Sequence, residues 1–445
     1  MSDARFDVVL REVARRGGGD AELYAERTRT RRYEAREGRL DGIAFADTLA
    51  LGLRVFRDGR MGFSYGFRGD GSDLARMVEE AVFCAGASDP DGSYGLPEAA
   101  GPFPELRLYD PAAETVREEE KGEFARRLEA DVLARDPRMK RVRSAVLQET
   151  VAQVSIMNSR GLSGDRRESR YSAHVETVAE EGGEGQTGDG FGFARSLGGL
   201  DAGAIVEEGA QRALRMLGAV RPETGKYRAV IENGAAAELL QVLAPSFLAS
   251  QVVKGKSMLA GKAGQGVAAE AVTIADDPLS AAGSAAEPFD AEGTPARTLE
   301  LLAAGELRGF LADAYWGRKL GTGSTGACRR PSAKSPPTVG ASNLCIRPGK
   351  LPLAALCEAA GDGILLTEFL GIHTADSISG DFSVGASGIR IARGRLSGPL
   401  RGFAVSGNLL AILGEVDAAG SDFRWFGSLG TPSLLVGGIM VGGDS

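Results

Sequence analysis

The chain has 445 residues, 43% of them hydrophobic and 25% charged, with a formal net charge of -8. That length exceeds one ordinary core and predicts two or three soluble, globular domains. The negative balance argues against a nucleic-acid binder, and no run approaches the 18 or so apolar residues a membrane helix needs.

The N-terminal segment is charged and lacks a signal-peptide apolar core, so a cytoplasmic location is expected. Its first helix carries Phe6, Val9, Leu10 and Val13 on one face and stops at Gly17 to Gly19. From Ala21 to Gly66 apolar and polar residues alternate. This predicts a meander of four or five antiparallel strands, turning near Glu37-Gly38 and Asp58-Gly59. Arg27, Arg29 and Arg31 share one strand face there, diluted by Glu26, Glu34 and Glu37, and read as solvated. A helix follows at 71–86, then a Pro- and Gly-rich connection at 88–111, then a helix over 113–134. Strands return at 142–158 and 165–179 around Asn158-Ser159-Arg160-Gly161, and GDGFGFARSLGG reads as another. A helix over 202–218 is capped by Asp201.

Arg221-Pro222-Glu223-Thr224-Gly225 marks a boundary, giving domains at 1–222 and 223–445. The second opens with the strand YRAVIENG and a helix that Pro245 disturbs. Beyond Gly264, glycine-punctuated strands are expected: AVTIADDP, GFLADAYWGRKLG, GILLTEFLG, GIRIARGRL, FAVSGN and PSLLVGGIMVGG. The 63 glycines, about double the usual ~7%, read as turns and close backbone approaches. The fold class is therefore α+β: an N-terminal helix-and-antiparallel-sheet domain followed by a strand-rich, Gly-punctuated C-terminal domain.

Groups for chemistry near neutral pH are scarce. The histidines are His174 and His373; the cysteines are Cys84, Cys328, Cys345 and Cys357, with no CxxC pair. Cys328, Cys345, Cys357 and His373 are zinc-compatible types, but their spacing matches no compact ligand pattern, and they read as core thiols and a structural imidazole. His373 with Asp376 or Asp381 would be a base lacking a demonstrated partner. Ser383 and Ser387 in GDFSVGASG lack the strand-turn-helix setting of a nucleophile elbow, and GTGSTGA lacks the lysine of a phosphate loop. Gly380, Gly385 and Gly388 suit close backbone approach, as in a groove where an extended peptide adds to a sheet edge. Asp381, Ser383 and Gly385 are the candidate peptide-binding residues.

Six blocks in order, EPFDAEGTPAR (287–297), DAYWGRKLGTGSTGA (313–327), LLTEFLG (365–371), GDFSVGASG (380–388), SGNL (406–409) and the terminal GTPSLLVGGIMVGG, resemble the TldD/PmbA family, some of whose members are called modulators of DNA gyrase. The resemblance spans essentially the whole chain. It implies one of two branches. The TldD-like branch resembles a zinc peptidase, with an H-E-x-x-x-H helix and a later cysteine. The TldE/PmbA-like branch keeps the fold without that site and partners the zinc subunit in degrading or trimming unfolded peptides. Here the corresponding helix, AAAELLQVLAPSFLASQ, has no histidine, Glu238 is its only carboxylate, and Pro245 falls roughly where the second histidine would lie. RWFGSLGTPSLLVGG lacks the cysteine. The resemblance thus implies a non-catalytic subunit without metal or other cofactor, joined to a TldD-like zinc peptidase or to itself, with unfolded peptide as substrate. An autonomous hydrolase around Asp381, Ser383 and His373, and a peptide-binding module without a protease partner, are the alternatives.

Overall fold

The computed structural model describes residues 3–98, 101–331 and 333–444. Helix α1 (Asp3–Arg15) leads into three long strands, β1 (Asp20–Arg36), β2 (Arg39–Arg57) and β3 (Arg60–Gly66). The two turns fall where the sequence places them, but the stretch contains three strands instead of four or five. Alternation continues unbroken through β1 and β2, with a bulge only at Glu34/Ala35, so no further turn interrupts them. After α2 (Gly71–Ala87), the expected 113–134 helix resolves into a turn at Pro111–Glu114 and α3 (Glu118–Leu133). Then come β4 (Met139–Asn158), β5 (Ser163–Glu181), β6 (Glu184–Ala194) and α4 (Ala202–Leu214), the last capped by the Asp201 carboxylate.

The six strands form one antiparallel sheet in the order β3-β2-β1-β4-β5-β6. Alternation puts Ala21, Leu23, Ala25 and Tyr33 of β1 on one face. The first three pack under α1 and α2, and Tyr33 packs under α3 and α4. On the opposite face Tyr24, Val154 and Ile156 meet Phe289 of the second half.

The second half begins with β7 (Gly225–Ile231), α5 (Asn233–Leu243) and α6 (Ala249–Val253), with a short 3-10 turn at Pro245 separating the helices. Short strands β8 (Ile274–Asp276), β9 (Leu299–Ala303) and β10 (Glu306–Leu307) precede α7 (Ala314–Leu320). This helix corrects the strand reading of GFLADAYWGRKLG. Asp313 caps it by accepting from Trp316 N–H at 2.7 Å, and Gly321 ends it in the left-handed conformation, φ 76°. Next are β11 (Cys328–Arg329), β12 (Thr338–Val339), β13 (Leu344–Ile346), α8 (Leu353–Ala360), β14 (Gly363–Leu370), β15 (Asp381–Ala392), β16 (Arg395–Asn408) and α9 (Leu409–Gly414). The described chain closes with β17 (Val416–Ala419), β18 (Arg424–Phe426), β19 (Leu429–Thr431) and β20 (Leu434–Gly442).

The larger C-terminal sheet runs β16-β15-β14-β7-β20-β17, and β16 also pairs with β20. The strands β16, β15, β14, β7 and β20 therefore close on themselves. One face of this sheet packs on Leu239, Leu240 and Leu243 of α5. The other, with Val230, Leu365 and Ile391, packs on Leu356 and Cys357 of α8. Burial on both faces explains the apolar runs Ala229 to Ile231 in β7 and Ile364 to Leu366 in β14.

Candidate functional site

A cleft of about 360 Å³ joins the two halves. Gly188 and Asp189 of β6 and Arg212 of α4 form one wall; Glu238 and Gln241 of α5, with Thr367, Glu368 and Ser387, form the other. Phe426, Leu429 and Met216 contribute apolar surface. Helix α5 is held at its start: Asn233 donates its side-chain N–H to the Asp422 carbonyl at 2.9 Å, and Thr431 donates its hydroxyl to the Asn233 carbonyl at 2.7 Å.

Glu238 accepts the Phe369 N–H at 3.2 Å. Burial pushes its carboxyl up to about 7; Glu368 raises it further, while the Phe369 N–H and Arg212 oppose the shift. Across from it, β14 carries a bulge: Leu366 pairs with Gly388 and Glu368 with Ser387, leaving Thr367 over. β15 shifts register against β16 at the same place, between Ala386 and Ser387. The two irregularities turn Thr367, Glu368 and Ser387 toward the cleft, a common use of bulges. The arginines are already engaged. Arg212 meets Glu208 at 2.8 Å, Arg424 meets the same carboxylate at 2.5 and 2.7 Å, and Arg215 makes a bidentate pair with Glu232 at 2.7 Å. Arg424 thereby ties β18 to α4 across the halves.

The sequence candidates fall elsewhere along β15. Asp381 is exposed and accepts from the Asn408 amide at 2.8 Å, which, with Ser379, holds its carboxyl below the usual range. Ser383 is exposed opposite Ser406 of β16. Gly385 has a strand on each side, Leu370 of β14 and Ala404 of β16. His373 lies exposed on a 3-10 turn, and no hydrogen bond joins it to Asp376, Asp381 or Ser383 among the described residues. His174 pairs with Asp189 at 3.2 Å near the cleft wall. Cys328, Cys345 and Cys357 are buried apart from one another, and among the described residues no group of three His, Cys, Asp or Glu is placed to hold a metal. The cleft offers Glu238, Glu368 and Asp189 but neither imidazole nor thiol. Such a donor set does not fit a catalytic zinc ion, which takes nitrogen or sulfur ligands beside any carboxylate. Thr367, Glu368 and Arg212 went unrecognised from sequence. The signal for Thr367 and Glu368 was the block LLTEFLG, whose bulge depends on pairing that one segment does not reveal; Arg212 carried none.

These features define an α+β protein in which an antiparallel sheet and a closed sheet share a carboxylate-lined cleft. The chain belongs to the TldD/PmbA family. Residues 21–85, 111–217 and 224–443 match PmbA/TldA metallopeptidase domain 1, central domain and C-terminal domain respectively. It is 25% identical over 437 residues to the metalloprotease PmbA of Escherichia coli O157:H7, covering 97% of this chain and 94% of that one. A metalloprotease of Methanothermobacter thermautotrophicus is 28% identical, with 91% and 88% covered. The structure superposes at a TM-score of 0.92 and 25% identity on a Thermotoga maritima protein named for a proposed role in modulating a DNA gyrase, covering 99% and 100%. It shares the fold of TldE from Thermococcus kodakarensis, at a TM-score of 0.90, 21% identity and coverage of 99% and 100%. Among the described residues no helix is long and apolar enough to cross a membrane.

Proposed function

We propose that this chain is a non-catalytic, TldE-like subunit that joins a TldD-like zinc peptidase in the cytoplasm and helps enclose unfolded peptides for cleavage or trimming. The observation that carries this reading is the donor set. The chain keeps the family's full-length fold, yet α5 bears Glu238 and no histidine, and the cleft it lines has no imidazole or thiol. A hydrolytic zinc site needs about three protein ligands beside its water. The role left to such a subunit is shape: it covers the partner's site and admits extended chains.

The test is to purify the protein alone and after mixing with a TldD-like subunit, then measure complex formation by size exclusion, metal content, and cleavage of an unfolded peptide. A stable complex with cleavage only on mixing is expected. Stoichiometric zinc in the isolated chain, or cleavage without the partner, would overturn the reading. Failure to form any complex would favour a self-standing peptide-binding protein.

A further inference from the structure

We propose that the cleft between the two halves receives a primary ammonium group of an extended peptide, held by Glu238 and Glu368 with the Ser387 hydroxyl beside them. The inference rests on the peptide-handling role above and adds the chemistry that would be recognised.

Three observations converge. Glu238 and Glu368 line the cleft, and neither has an ion-pair partner among the described residues. Arg212 and Arg215 on the facing wall are committed to Glu208 and Glu232. Independently, Ser387 lines the cleft while only 6% exposed, and no described residue hydrogen-bonds its hydroxyl. With no described partner and its residue lining the cleft, this hydroxyl is placed for a ligand. An ammonium carries three donors, which two carboxylates and a hydroxyl oxygen are able to accept.

The cleft suits an organic cation better than a metal ion. Its volume, about 360 Å³, is roughly ten times the ~30 Å³ share of one water. Phe426, Leu429 and Met216 offer apolar surface to the carbon skeleton behind the charge. Glu238 sits close enough to Glu368 for like-charge repulsion to help raise its pKa, and a cation between them relieves that repulsion.

The ammonium has two sources, the peptide's amino terminus or a lysine side chain. Full-length protein is titrated with three unstructured decapeptides carrying a C-terminal fluorophore. One has a free amino terminus and no lysine, one is N-acetylated with a single lysine, and one is N-acetylated without lysine. Anisotropy is expected to show at least one amine-bearing peptide binding about tenfold or more tighter than the uncharged one, as charge-assisted hydrogen bonds provide. Which peptide binds assigns the source. In the variant carrying Glu238→Gln and Glu368→Gln the preference disappears; Ser387→Ala reduces it. Equal binding of all three peptides to the unmodified protein, which needs no variant to fold, would overturn the proposal. So would a preference that survives the double substitution. If instead the subunit reading fails, no complex forms with the zinc peptidase while the amine preference persists.

Discussion

Glu238 shows how one residue sets a pH dependence. Its ordinary carboxyl value of 4.5 rises to about 7 in the fold because burial disfavours the charged form. Between those values the folded protein binds more protons than the unfolded chain. Stability from this group is therefore full below about pH 4.5 and declines as pH rises through 7. Glu238→Gln removes the penalty. The variant is expected to match the parent near pH 4 and to exceed it at pH 8 by on the order of 1–3 kcal/mol. Urea melts at the two pH values check this; a variant less stable at pH 8 would contradict it. That Glu238 was the helix's only carboxylate was plain from sequence. Its desolvation was not, because Phe369 and Glu368 reach it from a strand about 130 residues away.

At the scale of elements, glycine decides which surfaces meet. GDGFGFA in β6 alternates small residues toward α4, and a Cβ on Gly190 would lie 2.0 Å from the Ile205 carbonyl oxygen. One on Gly188 would lie 2.4 Å from the Gly209 carbonyl oxygen. Backbone atoms cannot move aside as side chains do, so Gly190→Ala is expected to displace α4 and cost about 2 kcal/mol or more, read as a lower melting temperature. β2 presents the reverse case. From Leu51 to Arg57 it lies between β1 and β3, but from Arg39 to Ala50 only β1 pairs with it, leaving Ile43 and Phe45 each 61% exposed. Amides in 51–57 should exchange slowly and outward-facing amides in 39–50 fast; uniform protection along β2 would contradict this. The strands β4, β5 and β6, helix starts at Asp201 and Asn233, and the paired turns were legible because local propensity and burial agree there. α7 was misread because seven residues are too few to show a helical period, and its start depends on the Asp313 cap.

Across the whole molecule, the halves are joined by charge buried from water. Arg54 of β2 meets Glu22 of β1 at 2.5 and 3.0 Å and Glu292 of the second half at 2.8 Å. Arg330 also meets Glu22, at 3.0 Å. Glu292 in turn accepts the Ala314 N–H at 2.9 Å, at the start of α7. Asp290 holds the same loop by accepting from Glu292, Thr294 and Cys328 N–H groups at 2.9, 2.9 and 3.0 Å. Burial pushes the Asp290 carboxyl up, and Glu292 adds to that shift. Burial also works against the Arg54 charge, yet Glu22 and Glu292 outweigh it and raise its pKa. The block EPFDAEGTPAR was visible as a motif, but its partner Arg54 lies 238 residues from Glu292, and no local pattern announces such a pair. Arg54→Met would leave Glu22 with Arg330 alone and remove the only ion-pair partner Glu292 has among the described residues. Breaking a buried pair from one side costs about 3–5 kcal/mol, so a large drop in unfolding midpoint is expected at pH 7. Adding Glu292→Gln should recover part of the loss, because the amide no longer carries an uncompensated charge into the interface. A single substitution at full stability, or a double variant worse than the single one, would mean that Arg54 does not fasten the halves together.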